Sequence, residues 1–202
     1  FGRPDHFGRM LNSLGSCPEV QARSVDVYHF LDGGPGSEQA ALRKVIEDSK
    51  VPFTEIVARP SNLGVGRQLI SARREIFDER GYDRMVLIED DIELSPTYLT
   101  TLLALSDWAE TFGDVGTVQV WNVESGTQEQ LQPHLGQVEL TNRHFVTYCI
   151  TKRVWNSIKD MLYAYEARYL LNCRYSHRPH YRIRWFMRRL LKKGRTSPEG
   201  DL

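Results

Sequence analysis

The sequence predicts an α/β protein with a Rossmann-like, mostly parallel central sheet flanked by helices. Two observations support this fold class. Apolar residues alternate along the chain between helical and strand spacing, and one apolar strand ends directly on the acidic run Glu89-Asp90-Asp91. The carboxyl ends of parallel strands meet at one edge of a sheet, where α/β proteins bind ligands. We therefore expect a ligand site at that edge.

The predicted elements alternate as helix and strand up to residue 121. Helices are predicted at residues 6–14, 37–50 and 66–80, and a fourth begins at Ser95-Pro96 because proline is tolerated at the first helical position. Strands are predicted at residues 25–31, 53–57, 85–88 and 115–121. A further strand before Arg3 would complete the first strand–helix unit, so we interpret the chain as a fragment of a longer protein.

The pattern is weaker after residue 121. A polar loop is predicted at residues 124–132, a strand at 144–150, a helix at 152–171 and a basic amphipathic helix at 182–193. The basic helix has two interpretations. Trp185 and Phe186 among arginines allow contact with an anionic membrane surface or a lipid-linked acceptor. Alternatively, the helix is solvated and docks on further protein.

Composition is that of a globular protein of 202 residues, with 41% hydrophobic and 26% charged residues, which is enough for one domain with a real core. The net charge is zero, so we expect no nucleic-acid partner. The three cysteines are far apart and show no CxxC spacing, which supports neither a zinc site nor a disulfide framework. No signal peptide or membrane span is predicted, and a cytoplasmic location is expected.

The acidic run is the main candidate for chemistry. Three adjacent carboxylates repel one another, so a fold accepts them where a cation binds or where water screens them. Oxygen ligands alone are typical of Mg²⁺ or Mn²⁺ sites. The alternative is a solvated acidic turn.

Other polar residues are predicted at the same edge. Asp32 follows a strand and precedes a glycine loop, and Arg3 follows the expected missing strand. Asn62, Gly64 and Gly66 lie just ahead of a helix start that can receive an anion. Such a set fits a nucleoside diphosphate with its metal. Asp32 as a cap of the glycine turn and Arg3 as a surface residue remain open alternatives. We expect Arg73 and Arg74 to be solvated helix residues.

The segment from Val86 to Leu99 resembles the metal-binding segment of GT-A fold glycosyltransferases. It is most similar to the N-acetylglucosaminyltransferase I type and to family 2-like glycosyltransferases, with Glu-Asp-Asp in place of Asp-x-Asp. Looser similarities, at Arg3-Pro4-Asp5, residues 30–33 and Trp121-Asn122, follow in the family's order. The resemblance covers roughly residues 1–122.

The resemblance implies a role for each matching position. Asp91 would ligate Mn²⁺ (or Mg²⁺) bridging the diphosphate of a nucleotide-sugar, commonly uridine-linked, and Glu89 and Asp90 would support the ribose and metal-bound water. Asp32 and Arg3 would hold the nucleotide. Arg67, at a helix start, is a further candidate near the diphosphate. Residues 1–122 would then form the donor-binding part and residues 123–202 a partial acceptor side of a single domain.

Transfer to a hydroxyl acceptor with inversion requires a general base. Glu166 and Asp201 are the candidates, although neither lies in a recognisable motif. The resemblance implies a saccharide, lipid-linked or protein acceptor. Two other functions stay open: a nucleotidyltransferase on a related sheet, and a non-catalytic module that binds a nucleotide.

Overall fold

The computed structural model describes residues 3–120, 127–134, 136–140, 147–171 and 179–193, and this part of the protein is α/β. Its helices are α1 Pro4–Gly15, α2 Pro18–Gln21, α3 Gly36–Asp48, α4 Gly64–Arg74, α5 Tyr98–Ala109, α6 Gln128–Leu131, α7 Lys152–Tyr165 and α8 His180–Lys193. Its strands are β1 Tyr28–Leu31, β2 Glu55–Ala58, β3 Arg84–Leu87, β4 Thr117–Val118 and β5 Tyr148–Thr151. Two π-helical turns, Glu75–Glu79 and Glu166–Leu170, continue α4 and α7.

The strands form two sheets. β1 and β2 are parallel, with Tyr28 opposite Glu55 and Leu31 opposite Ala58. β5 lies between β3 and β4 and is antiparallel to both, so β3 and β4 run in the same direction. The predicted alternation of helices and strands is confirmed, but the described residues do not form one mostly parallel central sheet. One reason that the sheet is not mostly parallel is the direction of β5. This strand leads directly into α7 and runs antiparallel to both of its neighbours, β3 and β4.

Several predicted boundaries move. The helix predicted from Ser95-Pro96 begins at Tyr98, whose backbone N–H donates to the Ser95 carbonyl at 3.0 Å in a turn before the helix. The predicted strand at residues 115–121 is only two residues long. Part of the predicted polar loop at 124–132 is the short helix α6, and residues 121–126 and 141–146 lie outside the described part of the chain.

The main core lies where α1 packs against β1 and α5. The apolar residues of α1 recur at helical spacing, and its apolar face is buried: Phe7, Met10, Leu11 and Leu14 are each 6% exposed or less. A second core forms where β5 and α7 cover Phe77, and it includes the fully buried Trp155, which stacks on Phe77 with ring centroids 5.8 Å apart. Cys17 and Cys149 are free and buried, whereas Cys173 lies outside the described residues.

None of the helices in the described segments has the length and apolar character needed to cross a membrane. The basic helix α8 contacts the second π-helical turn through an edge-on pair of Phe186 and Tyr169 rings, 5.6 Å between centroids. Arg168 of that turn lies 5.5 Å from the Phe186 ring centroid. Trp185 of the same helix is 61% exposed.

His29 makes stability depend on pH. It is 5% exposed in β1, lies between Phe7 and Phe53, and burial lowers its pKa from 6.5 to about 4. Because the unfolded chain binds the proton more tightly, stability is fully present above pH 6.5 and falls as the pH drops toward 4. We expect the wild type to lose up to about 3 kcal/mol more than His29→Leu over that range, measured by urea unfolding.

The control for this prediction is Ile46→Val, which also changes a buried side chain of the main core but removes no ionisable group. That variant should keep the pH dependence of the wild type. Equal pH dependence of His29→Leu and wild type would contradict the assignment to His29.

Candidate functional site

The carboxyl ends of β1 and β2 meet as the sequence predicts. Leu31 pairs with Ala58, and the next backbone N–H, that of Arg59, donates to the Leu31 carbonyl at 2.9 Å. The Gln39 side chain of α3 donates to the carbonyls of Asp32 and Arg59, at 3.1 and 2.9 Å, and so ties the two strand ends together. The loops that follow β1 and β2 are therefore held side by side.

Asp32 caps the amino end of α4. Its Oδ1 accepts the backbone N–H groups of Gly33 at 2.8 Å and Leu63 at 2.7 Å, and its Oδ2 accepts that of Gly64 at 3.0 Å. A carboxylate at this position satisfies unpaired N–H groups and faces the positive end of the helix dipole. The predicted anion-binding helix start thus holds an anion, and that anion is the carboxylate of Asp32. Asn62 adds a bond from its Oδ1 to the Gly64 N–H at 2.7 Å.

Gly33 permits this close approach. It is buried against the loop after β2, and a Cβ at this position would lie 2.0 Å from the carbonyl carbon and 2.4 Å from the Cα of Ser61. Both of those atoms are backbone atoms, which a side-chain rotation cannot move. Glycine is therefore required at residue 33 if Asp32 is to reach the start of α4.

The acidic run lies just after β3, and Arg3 bridges two of its three carboxylates. Arg3 Nη2 lies 3.0 Å from Asp90 Oδ1 and Nη1 lies 3.1 Å from Asp91 Oδ2. The charge of Asp90, with that of Asp91, raises the pKa of Arg3. The two aspartate side chains are 39% and 36% exposed, so they are open to solvent and to ligands. Arg3 thus lies beside the acidic run, and its partners there are carboxylates.

α1 holds the acidic segment in place at two further points. Arg9 Nε lies 3.0 Å from Glu93 Oε1, and the Ser13 hydroxyl accepts the Leu94 backbone N–H at 3.0 Å. Together with Arg3, these contacts fasten residues 90–94 along one side of the helix. The acidic run is therefore a positioned turn with defined partners.

One cavity joins the two halves of the predicted site. Its volume is about 820 Å³. The end beyond the carboxyl termini of β1 and β3, called the polar end below, is lined by Asp32, Asn62, Gly64, Glu89 and Asp90, and the opposite end also carries polar residues, among them Asp26 and Arg84. This places the end of β1, the start of α4 and the first two residues of the acidic run around the same space.

Glu166 and Arg67 lie together but away from that cavity. Glu166 is 7% exposed in the π-helical turn after α7, where its Oε2 pairs with Arg74 and its Oε1 lies 3.9 Å from Arg67 Nε. Neither residue lines the cavity. Arg67 is thus directed toward Glu166, and Asp201 lies outside the described residues.

The expectation that Arg73 and Arg74 are solvated is wrong. Arg73 donates to the Tyr148 hydroxyl, and burial lowers its pKa to about 10. Arg74 pairs with Glu166 and lies 4.4 Å from the Tyr163 ring centroid. The pattern of α4 gave no sign of this, because both partners come from segments far along the chain that pack on α4 only after folding.

The acidic run fits a metal that is shared with a ligand. No group of three or more His, Cys, Asp or Glu side chains among the described residues is arranged to hold a metal. Magnesium-type sites in nucleotide enzymes, however, use one or two carboxylates and take their other ligands from phosphates and water. Asp90 and Asp91 are exposed, hard oxygen donors of that kind. They could hold Mn²⁺ or Mg²⁺ only together with ligand oxygens from outside the described residues.

No protein-family model matches this chain, and no curated protein matches its sequence. The interpretation of the site therefore depends on the chemistry of its own residues and on the resemblance of the acidic segment.

Proposed function

We propose that the protein is a metal-dependent glycosyltransferase of the GT-A class, with a Rossmann-like and mostly parallel central sheet. In this proposal it transfers a sugar from a nucleoside diphosphate sugar, uridine-linked, to a hydroxyl acceptor. The observation that carries the proposal is the shared cavity, at whose polar end Asp32 and the α4 start face Glu89 and Asp90. Arg3 and Asp91 adjoin this end through the ion pairs with the acidic run.

The acidic run would bind the donor diphosphate. Asp91 would hold Mn²⁺ or Mg²⁺, with Glu89 and Asp90 orienting the ribose and water. Once bound there, the ion would neutralise charge on the leaving diphosphate. Arg3 lies against Asp90 and Asp91, and its guanidinium would also be placed to donate to phosphate oxygens of a donor bound beside them.

Asp32 would contribute both to the fold and to binding. An ionised carboxylate has about four acceptor positions, and three backbone N–H groups use three of them. The remaining position can accept from a base N–H or a ribose hydroxyl. Arg67 keeps a secondary role in the proposal, near the diphosphate, and it would have to turn away from Glu166 to fill it.

Glu166 and Asp201 are the two candidates for the general base of the proposed reaction. The pairing of Glu166 with Arg74 and its 7% exposure favour a structural role for this carboxylate. This observation supports a second candidate function, a non-catalytic module that binds the nucleotide and transfers nothing. Transfer of sugar by the 202-residue chain would distinguish the two functions.

In the proposal, helix α8 belongs to the acceptor side of the enzyme. Trp185 is exposed and Arg189 lies 5.5 Å from its ring centroid, an arrangement that allows peripheral contact with an anionic surface. The proposed acceptor is a saccharide, a lipid-linked sugar or a protein, and the proposed location is cytoplasmic with membrane association. Nucleic acid is not among the proposed partners.

Asp91→Asn should uncouple nucleotide binding from the metal. We expect calorimetric titration of the wild type with UDP, GDP and their sugars to show binding that Mn²⁺ strengthens at least tenfold. Asp91→Asn should lose that gain, because an amide oxygen is a weaker, uncharged ligand for a hard cation.

Glu93→Gln is the matched control, since Glu93 lies two residues away and pairs with Arg9. It should bind the nucleotide within about twofold of the wild type. The proposal fails if no nucleotide binds, or if Mn²⁺ strengthens binding to Asp91→Asn as much as to the wild type.

A further inference from the structure

The body of the large cavity lies along strand edges. Every residue from 24 to 32 and every residue from 84 to 90 lines it. Successive side chains of a strand point to opposite faces of the sheet, so a cavity above one face is lined by alternate residues only. Because consecutive residues of both segments line the cavity, the cavity runs along the backbone edges of β1 and β3.

These two edges are open toward each other. Among the described residues, β1 pairs only with β2, and β3 pairs only with β5. Tyr82, just before β3, donates its hydroxyl to Asp26, just before β1, at 2.6 Å. Asp32 and Glu89, which follow the two strands, both line the other end of the cavity. β1 and β3 therefore run in the same direction with a gap between them.

The size and walls of the gap match one β-strand. A strand in a packed sheet occupies about 4.8 Å by 10 Å in cross-section and rises about 3.3 Å per residue, so 820 Å³ holds about five residues. β1 and β3 have four residues each. The surrounding helices contribute mainly apolar side chains, among them Phe7, Met10, Leu69 and Leu99.

We propose that this gap is a slot for one additional apolar β-strand of about five residues, parallel to β1 and β3. The strand would come from polypeptide joined to the amino-terminal side of Arg3. Arg3 is fastened to Asp90 and Asp91 beyond the carboxyl end of β3, and α1 follows at once and lines the slot. Polypeptide that precedes Arg3 would therefore reach the slot over a short distance, with its carboxyl end at the polar end of the cavity.

The added strand would join the two sheets. The order would become β2, β1, the new strand, β3, β5 and β4, with β5 alone running in the opposite direction. It would fill the apolar body of the cavity and leave the polar end, at Asp32 and Glu89, open to a ligand. The added strand and the proposed function share this cavity: the strand would take the space between β1 and β3, and the ligand would take the polar end.

The test compares three five-residue extensions placed before Phe1 of the full chain: Val-Thr-Val-Ile-Val, Val-Thr-Pro-Ile-Val and Gly-Ser-Gly-Ser-Gly. Proline removes a backbone donor and is excluded from central strands, so the second extension is the matched apolar control. On the monomeric fraction, we expect the first extension alone to raise the melting midpoint by ~5 °C. It should also slow amide exchange at residues 28–31 and 84–87 at least tenfold and reduce the fluorescence of an apolar dye bound by the unextended chain.

Equal midpoints and equal exchange for the first and second extensions would overturn the proposal, because a general apolar effect would then explain any gain. Dye binding that the first extension leaves unchanged would also overturn it. These readouts need no nucleotide, so they succeed or fail separately from the proposed glycosyltransferase activity.

Discussion

Gly33→Ala is expected to destabilise the protein by about 3 kcal/mol or more. The new Cβ would lie 2.0 Å from the Ser61 carbonyl carbon, well inside van der Waals contact. To relieve this clash, the loops after β1 and β2 would have to separate. That movement would break the hydrogen bonds that the Leu63 and Gly64 N–H groups donate to Asp32. Urea unfolding measured by far-ultraviolet circular dichroism would give the loss, and failure to fold would be the extreme form of the same result.

Gly36→Ala is the control for this substitution. Gly36 opens α3 in the same glycine-rich loop, and a Cβ there has no atom within 4 Å. Alanine also favours the helix, so the variant should be as stable as the wild type or up to about 1 kcal/mol more stable. A Gly33→Ala protein within 1 kcal/mol of the wild type would contradict the described contact.

Asp32→Ala should cost about 3 kcal/mol of stability, the second large effect. Three backbone N–H groups lose their acceptor, two of them at the start of α4, where a missing cap alone costs about 1 kcal/mol. Asp32→Asn should lose less, about 1 kcal/mol, because its single carbonyl oxygen still accepts two of the bonds. The measurement is again urea unfolding at neutral pH.

Asp48→Ala serves as the comparison, because Asp48 is an exposed aspartate in the last turn of α3. It should change stability by no more than about 0.5 kcal/mol. If Asp32→Ala were equally mild, the capping role of Asp32 would be wrong, and this carboxylate would be free for a ligand.

The parts of the fold that depend on local pattern could be predicted from the sequence. The apolar spacing of Phe7, Met10, Leu11 and Leu14 gives α1 and its buried face. The apolar run before Glu89 gives β3, and the meeting of strand ends after β1 and β2 follows from their parallel direction. The helix start at α4 could also be expected to bind an anion. That the anion is Asp32 could not be predicted, because the sequence gives no distance between Asp32 and the start of α4.

The rest depends on contacts between distant segments. The strand signal at β5 is the same whether the strand runs parallel or antiparallel, so the pairing of β5 between β3 and β4 could not be deduced. Arg67 and Arg74 meet Glu166 only because the second π-helical turn packs on α4. Arg67 and Glu166 pair with each other and do not line the shared cavity, although their residue types suit the binding and catalytic roles predicted for them.

The central claim is that the acidic run serves sugar transfer from a nucleoside diphosphate donor. The most direct measurement is release of nucleoside diphosphate from UDP-sugars and GDP-sugars with Mn²⁺, with hydroxyl acceptors and water as the receiving groups. We expect the wild type and Glu93→Gln to release it at similar rates, and Asp91→Asn to be at least a hundredfold slower, about 2.7 kcal/mol in the barrier. Release that is absent from the wild type, or equal in Asp91→Asn, would contradict the proposed activity.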